Sequence, residues 1–201
     1  AWQDLSDNQQ RLACRLQEAY AAFLDHTDVQ IGRLLESLRH LGVEDNTMIV
    51  LLSDNGASQE GGPFGVLHEM KFFNMMIEMP DEAIHRIDEI GGPHSHSNYP
   101  WGRSQVGNTP FKFNKQNTHE GGIHVPLIVK WPKGVRDSGG LRDQFHHVND
   151  IAPTIYEAIG ITPPDVYRGL EQMPISGVPM NYSFDEKEAE TTKLIQYYEM
   201  V

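Results

Sequence analysis

Cysteine is nearly absent: Cys14 is the single one in 201 residues. One thiol excludes an internal disulfide framework and a thiolate zinc cluster, and it fits a reducing compartment without establishing one. Positive charge is also scarce. Sixteen Lys and Arg face 28 Asp and Glu, a formal net charge of -12, and no Lys/Arg run concentrates what there is. That balance argues against a phosphate-backbone partner, so nucleic acid is not expected as a ligand. Long apolar runs are missing too; none approaches the length of a membrane span, and no membrane partner is expected. The first residues carry no signal-peptide pattern, which is uninformative if the N-terminus is a truncation. No internal repeat or low-complexity tract is present.

What remains is a length sufficient to bury a core, as one domain or as part of a larger one. Ser6-Asp7-Asn8-Gln9 has the form of a capping box and predicts the start of a long helix. Leu12, Leu16, Phe23, Ile31, Leu34, Leu38 and Leu41 draw one apolar stripe along it, and Gly42 supplies the stop. Cys14 falls on or beside that stripe, as a small helical residue rather than a reactive one. Met48 to Leu52 is a short β-branched apolar run without alternation, the pattern of a strand covered on both faces in a mostly parallel sheet. Ser53-Asp54-Asn55-Gly56 breaks it. Ligands of open α/β sheets sit beyond the carboxyl ends of the strands, and a carboxylate beside an amide carbonyl suits a hard divalent cation such as calcium. As a tripeptide alone, Asp54-Asn55-Gly56 is more often an ordinary turn.

From Ala57 to Asn108 the pattern dissolves into Gly-Gly-Pro twice, paired aromatics and scattered histidines, a length typical of functional or disordered loops. Within it Pro80 to Ile90 reads as a short helix with Ala83, Ile84, Ile87 and Ile90 on one side. The dense set Met70, Phe72, Phe73, Met75, Met76, Ile77 and Met79 reads as a plug under the loop, or else as a wall for an apolar substrate. Val125 to Trp131 is a second buried strand. Asn149-Asp150, Pro153 and Gly160 frame a short helix with Ile151, Ile155 and Ile159 on its apolar face, and Thr191 to Met200 is a candidate last strand.

The segment Gly107 to Pro126 carries the most specific signal. Lys115 stands five residues before Glu120-Gly121-Gly122, which lead into a Val125-Pro126 strand start. With Ser53-Asp54-Asn55-Gly56 ahead of it and Asp150-Ile151-Ala152-Pro153-Thr154 after it, the chain resembles the sulfatases in three motifs in the right order. The resemblance implies an α/β fold, part of an alkaline-phosphatase-like sandwich with a mostly parallel sheet and the long N-terminal helix. It implies Asp54 and Asn55 as two ligands of Ca2+ or another hard divalent cation, and Lys115 as the partner of a sulfate oxygen. The chemistry agrees, because charge builds on the leaving oxygen and the sulfuryl group of a sulfate ester, where a cation and an ammonium stabilise it. Gly121 and Gly122 let the backbone turn before the strand, and Glu120 fixes that turn. His124 stands where the family often carries arginine.

His94 and His96 form a His-x-His, a spacing used for zinc, yet no third ligand is evident; substrate contact is the better reading for His96. Trp101 could stack on an aromatic leaving group or anchor the loop. His146 and His147, ahead of the helix, read as a satisfied structural pair. The largest departure from the family is the missing C/S-x-P-x-R motif, whose Cys or Ser is oxidised to formylglycine: Cys14 is followed by Arg15-Leu16-Gln17-Glu18. The paired N-terminal aspartates of the metal site and the family's first lysine and histidine are missing too. The expectation is therefore that residues 1–201 are a partial sulfatase catalytic domain, lacking the nucleophile half and the C-terminal end, whose main partners are a sulfate ester and the remainder of its own domain. Phosphonate or phosphate monoester hydrolases of the same superfamily share the architecture, and a non-catalytic segment that binds an ion or a partner is the third alternative.

Overall fold

The computed structural model describes residues 1–198, in two compact units where the sequence suggests one core. One unit is Ala1–Leu38 with Asn55–Pro126; the other is Arg39–Asp54 with Leu127–Tyr198.

Helix α1 (Asp7–His40) begins as the capping box predicts: the Ser6 N–H donates to Gln9 Oε1 at 2.8 Å and the Gln9 N–H to Ser6 Oγ at 3.3 Å. Gly42 closes it with φ +68°, its N–H donating to the Arg39 carbonyl. The stripe is only partly used. Leu12 and Leu16 are buried with Leu67, Ala83, Ile90 and Tyr99 in the core of the first unit, whereas Phe23, Leu24 and Leu34 lie exposed. Full burial of each such leucine is worth about 1.5–3 kcal/mol as an upper figure, so the first three turns hold the helix to this core. Cys14 is exposed and accepts from Arg103 Nη2 at 3.3 Å.

The long connection folds as short pieces: α2 (Glu69–Phe73), α3 (Pro80–Ala83) with a 3-10 turn to Glu89, α4 (Trp101–Asn108) and α5 (Glu120–Ile123). Ala83 and Ile90 are buried, as the helical reading of Pro80–Ile90 requires. The plug reading fails. Met70, Phe73, Met75, Met76, Ile77 and Met79 are all at least half exposed, and the group that goes inside is Glu78, which accepts from the Leu67 N–H at 2.8 Å and pairs with Lys71. A buried backbone donor needs a partner more than a methionine needs cover, and Glu78 supplies it.

In the second unit β1 (Ile49–Leu52) and β2 (Leu127–Lys130) pair antiparallel, Ile49 opposite Lys130 and Leu52 opposite Leu127. Two residue pairs of β3 (Val166–Tyr167) and β4 (Leu170–Glu171) make a second antiparallel ladder. The expected mostly parallel sheet is not formed among the described residues. An unalternating apolar run reports cover on both faces, not strand direction, and Leu51, Leu52, Leu127 and Ile128 are exposed here. Helix α6 (Ile151–Ile159) ends at Gly160 with φ +69°. Its expected isoleucine face is open, with Ile155 and Ile159 exposed; the buried residue is Thr154, whose hydroxyl donates to the Asp150 carbonyl and accepts from the Met180 N–H. The expected strand at 191–200 is not formed over residues 191–198, and its last two residues lie outside the described ones. Among the described residues no helix is long and apolar enough to cross a membrane.

Candidate functional site

In the first unit, the turn after Asn55 is stitched to the Lys115 loop by backbone. The Gly56 N–H donates to the Gly122 carbonyl at 3.0 Å, and the Lys115 N–H to the Ala57 carbonyl at 3.1 Å. Glycine is required on both sides of the seam. A Cβ on Gly56 would lie 1.8 Å from the Gly121 oxygen, one on Gly121 2.1 Å from the Phe113 oxygen, and one on Gly122 2.0 Å from the Asn117 oxygen. Gly121 and Gly122 therefore serve close backbone approach, with helical rather than left-handed conformation, where the sequence suggested a tight turn. Asn108 locks the same seam from the end of α4, accepting from the Ala57 N–H at 2.9 Å and donating to the Phe113 carbonyl at 2.9 Å. Phe113 and Gln116, flanking Lys115, both hold positive φ, +65° and +73°. Strained backbone of this kind persists where surrounding contacts over-determine it.

Lys115 Nζ donates to both oxygens of Glu60, at 3.0 and 3.1 Å, with a third of the lysine side chain exposed and the carboxylate 17 % exposed. Glu60 also accepts from Ser58 Oγ at 2.8 Å, and its own N–H donates back to that hydroxyl at 3.1 Å. Burial works to raise the Glu60 pKa, but the hydrogen bonds from Lys115 and Ser58 outweigh it and hold the carboxyl below its usual range. Glu60 was missed in the sequence, although it is the only acid between Asn55 and Glu69. Glu120 is exposed, and its carbonyl accepts from the His124 N–H. The His124 ring stacks on Phe111 at 4.3 Å.

His96 is exposed, with Nδ1 3.0 Å from Glu69 Oε1 and its ring edge-on to His68 at 6.1 Å. His94 is exposed as well. Trp101 opens α4 half exposed, its N–H donating to the Gly62 carbonyl. Among the described residues no group of three His, Cys, Asp or Glu is placed to hold a metal, so the zinc spacing of His94 and His96 stays without a third ligand. Asp54 follows β1 as an exposed carboxylate, and Asn55 is half-buried. Two oxygen-bearing side chains of this kind fit part of the shell of a hard divalent cation, which takes six or more oxygens.

The second unit holds a polar cluster that the sequence showed only in part. Asp150 is fully buried and accepts from the Val178 N–H (2.9 Å), the His147 N–H (2.9 Å) and Lys193 Nζ (2.9 Å), with His146 Nδ1 at 3.3 Å. His146 Nε2 lies 3.2 Å from the Tyr182 hydroxyl, and His147 Nδ1 accepts from the Asn149 N–H at 3.4 Å, so both rings have hydrogen-bond partners. Burial would raise the Asp150 carboxyl; its backbone donors and Lys193 bring it below the usual range. Burial lowers the basicity of His146 further than Asp150 restores it.

A sequence model of the sulfatase family matches residues 2–161. The chain is 29% identical to an arylsulfatase of Klebsiella aerogenes over 181 residues, 90% of this chain and 37% of that protein. It is 29% identical over 170 residues to an uncharacterized sulfatase of Schizosaccharomyces pombe, 82% of this chain and 28% of that one. With an N-acetylgalactosamine-6-sulfatase of Homo sapiens it shares 29% over 157 residues, 77% of this chain and 22% of the other. It spans well under half the length of each of these relatives. A match across so much of the chain, with all three motifs inside it, means that this chain belongs to the sulfatase family.

Proposed function

We propose that this chain is part of the catalytic domain of a sulfuric ester hydrolase of the arylsulfatase kind, with Lys115 binding a sulfuryl oxygen and Asp54 and Asn55 contributing two ligands of a calcium-type cation. The observation that supports it is the glycine seam. Within the first unit it ties the loop that carries Lys115 to Gly56 and Ala57, the residues directly after Asn55, across a long separation in sequence. A hard cation bound by Asp54 and Asn55 would supply fixed positive charge at the sulfuryl group. Lys115 would add an ammonium whose attraction grows as negative charge develops on the transferring group. His96 and Trp101, both exposed, would contact the organic part of the ester. Formylglycine, mostly parallel strands beside β1 and β2, and further metal ligands would come from the rest of the protein. The exposed Leu51, Leu52, Leu127 and Ile128 are surfaces that such strands and their helices would cover.

The test uses the intact protein with an aryl sulfate. Lys115→Ala lowers kcat/KM by roughly 10² or more, the size of losing one preorganised oxyanion donor, and kcat falls further than KM rises. Near-normal kcat/KM in that variant removes the assignment. Turnover of an aryl phosphonate with none of the sulfate moves the chain to the phosphonate and phosphate hydrolases of the same superfamily.

A further inference from the structure

We infer that Glu60 is a positioning residue for Lys115: its carboxylate fixes the ammonium at one point and leaves part of its donor capacity for the substrate. The inference rests on the sulfuryl-binding role proposed for Lys115 and extends it to a residue no motif singles out.

Lysine ends in a flexible four-carbon stem, so an ammonium that must meet a developing charge needs something to hold it. Here both Glu60 oxygens lie within 3.1 Å of Nζ. One carboxylate engages one or two of the three ammonium N–H groups, so a donor remains for an anionic oxygen. A holder is useful only if it is itself held. Glu60 is gripped through Ser58, whose hydroxyl donates to Oε2 and accepts from the Glu60 N–H. The residue after Glu60, Gly61, packs so closely on Tyr99 that a Cβ there would lie 2.0 Å from the Tyr99 carbonyl oxygen, and Tyr99 is buried in the core and packs edge-on against Tyr20 at 5.0 Å. The loop backbone adds a second hold, through the Lys115 N–H on the Ala57 carbonyl. Side-chain tip and backbone of Lys115 are thus both tied to residues 57–60. A surface ion pair needs none of this support and is worth little by itself.

The experiment measures aryl sulfate hydrolysis by the intact protein as wild type, Glu60→Gln, Lys115→Ala and the double variant, with a thermal melt of each. Glutamine keeps the size and one acceptor but loses the charge-assisted grip. The expected result is a fall of about 10-fold in kcat for Glu60→Gln, with KM changed less and the melt close to wild type. In the Lys115→Ala background the same substitution has no further effect, because Glu60 acts only through Lys115. If Glu60→Gln retains wild-type kcat while Lys115→Ala collapses, the inference is overturned and the sulfuryl-binding role of Lys115 stands. If Glu60→Gln costs the same with or without Lys115, Glu60 is structural and the inference is again overturned. If Lys115→Ala itself is active, the role of Lys115 fails and the inference falls with it.

Discussion

Lys193–Asp150 in the second unit and Lys115–Glu60 in the first are both lysine–carboxylate pairs, and they are built in opposite ways. Lys193 and Asp150 are 4 % and 0 % exposed, and the carboxylate has backbone donors besides the ammonium. Lys115 keeps a third of its surface in solvent, and its carboxylate partner has one hydroxyl besides it. Removing two ions from water is costly, and a buried pair survives when every remaining lone pair finds a donor. The second unit meets that condition, so its pair can anchor structure. In the first unit the ammonium keeps an open side, which costs little stability and leaves a charge available to a ligand.

The largest expected effect breaks this contrast from the buried side. Lys193→Met leaves Asp150 as an uncompensated buried charge and should cost about 3–5 kcal/mol of unfolding free energy in the intact protein. Combining it with Asp150→Asn should recover much of that loss, because the penalty comes from the orphaned ion. Lys115→Met, the matching change in the open pair, should cost about 1 kcal/mol or less while abolishing most activity. Denaturant unfolding of the three variants decides it, and a Lys193→Met midpoint equal to that of wild type would dissolve the distinction.

A smaller effect sharpens the contrast from the open side. The Lys115 loop is fixed by backbone packing rather than by buried charge, so Gly122→Ala, whose Cβ would meet the Asn117 oxygen at 2.0 Å, should displace the loop. The expected cost is about 1–3 kcal/mol of stability, together with a loss of activity larger than a stability change of that size explains. An active Gly122→Ala protein with an unchanged melt would show that the seam does not hold Lys115.

The sequence disclosed local signals well and non-local ones poorly. The Ser6–Gln9 box, the Gly42 and Gly160 stops, β1, β2 and the Lys115 to Gly122 spacing are each written within a few residues, and each is found in the structure. Strand direction, the exposure of the Met70–Met79 stretch and the buried state of Lys193 depend on partners distant in the chain. No periodicity encodes them. Lys193 lies near the start of the stretch expected as a last strand, with no local signal that marks it for burial, and it is buried because Asp150, 43 residues earlier, offers an oxygen. Helix α4 was missed because Gly102 and Gly107 dilute its helical signal, and Glu60 because a lone acid in a glycine-rich loop carries no spacing to recognise.

The smallest predicted effect is the pH dependence of the buried cluster. His146 is 12 % exposed and faces Asp150 and Tyr182, with Lys193 close enough to repel its protonated form. Burial, with Lys193 adding to it, sets the folded pKa below the unfolded value of about 6.5, against the pull of Asp150. Between those two values the unfolded chain binds the proton and the folded chain resists it, so stability is complete above about pH 6.5 and falls as pH drops through the folded pKa. Asp150 acts in the same direction lower down. Its carboxylate, depressed in the fold, contributes stability above about pH 3.9 that is lost as pH falls through its folded value. Acidification should therefore loosen the second unit in two stages. In His146→Gln the first stage disappears and the second remains, because glutamine does not titrate and leaves the Val178, His147 and Lys193 donors on Asp150 in place. Melts of both proteins from about pH 8 to about pH 5.5 test this, and an equal decline in the variant would assign the acid sensitivity to other groups.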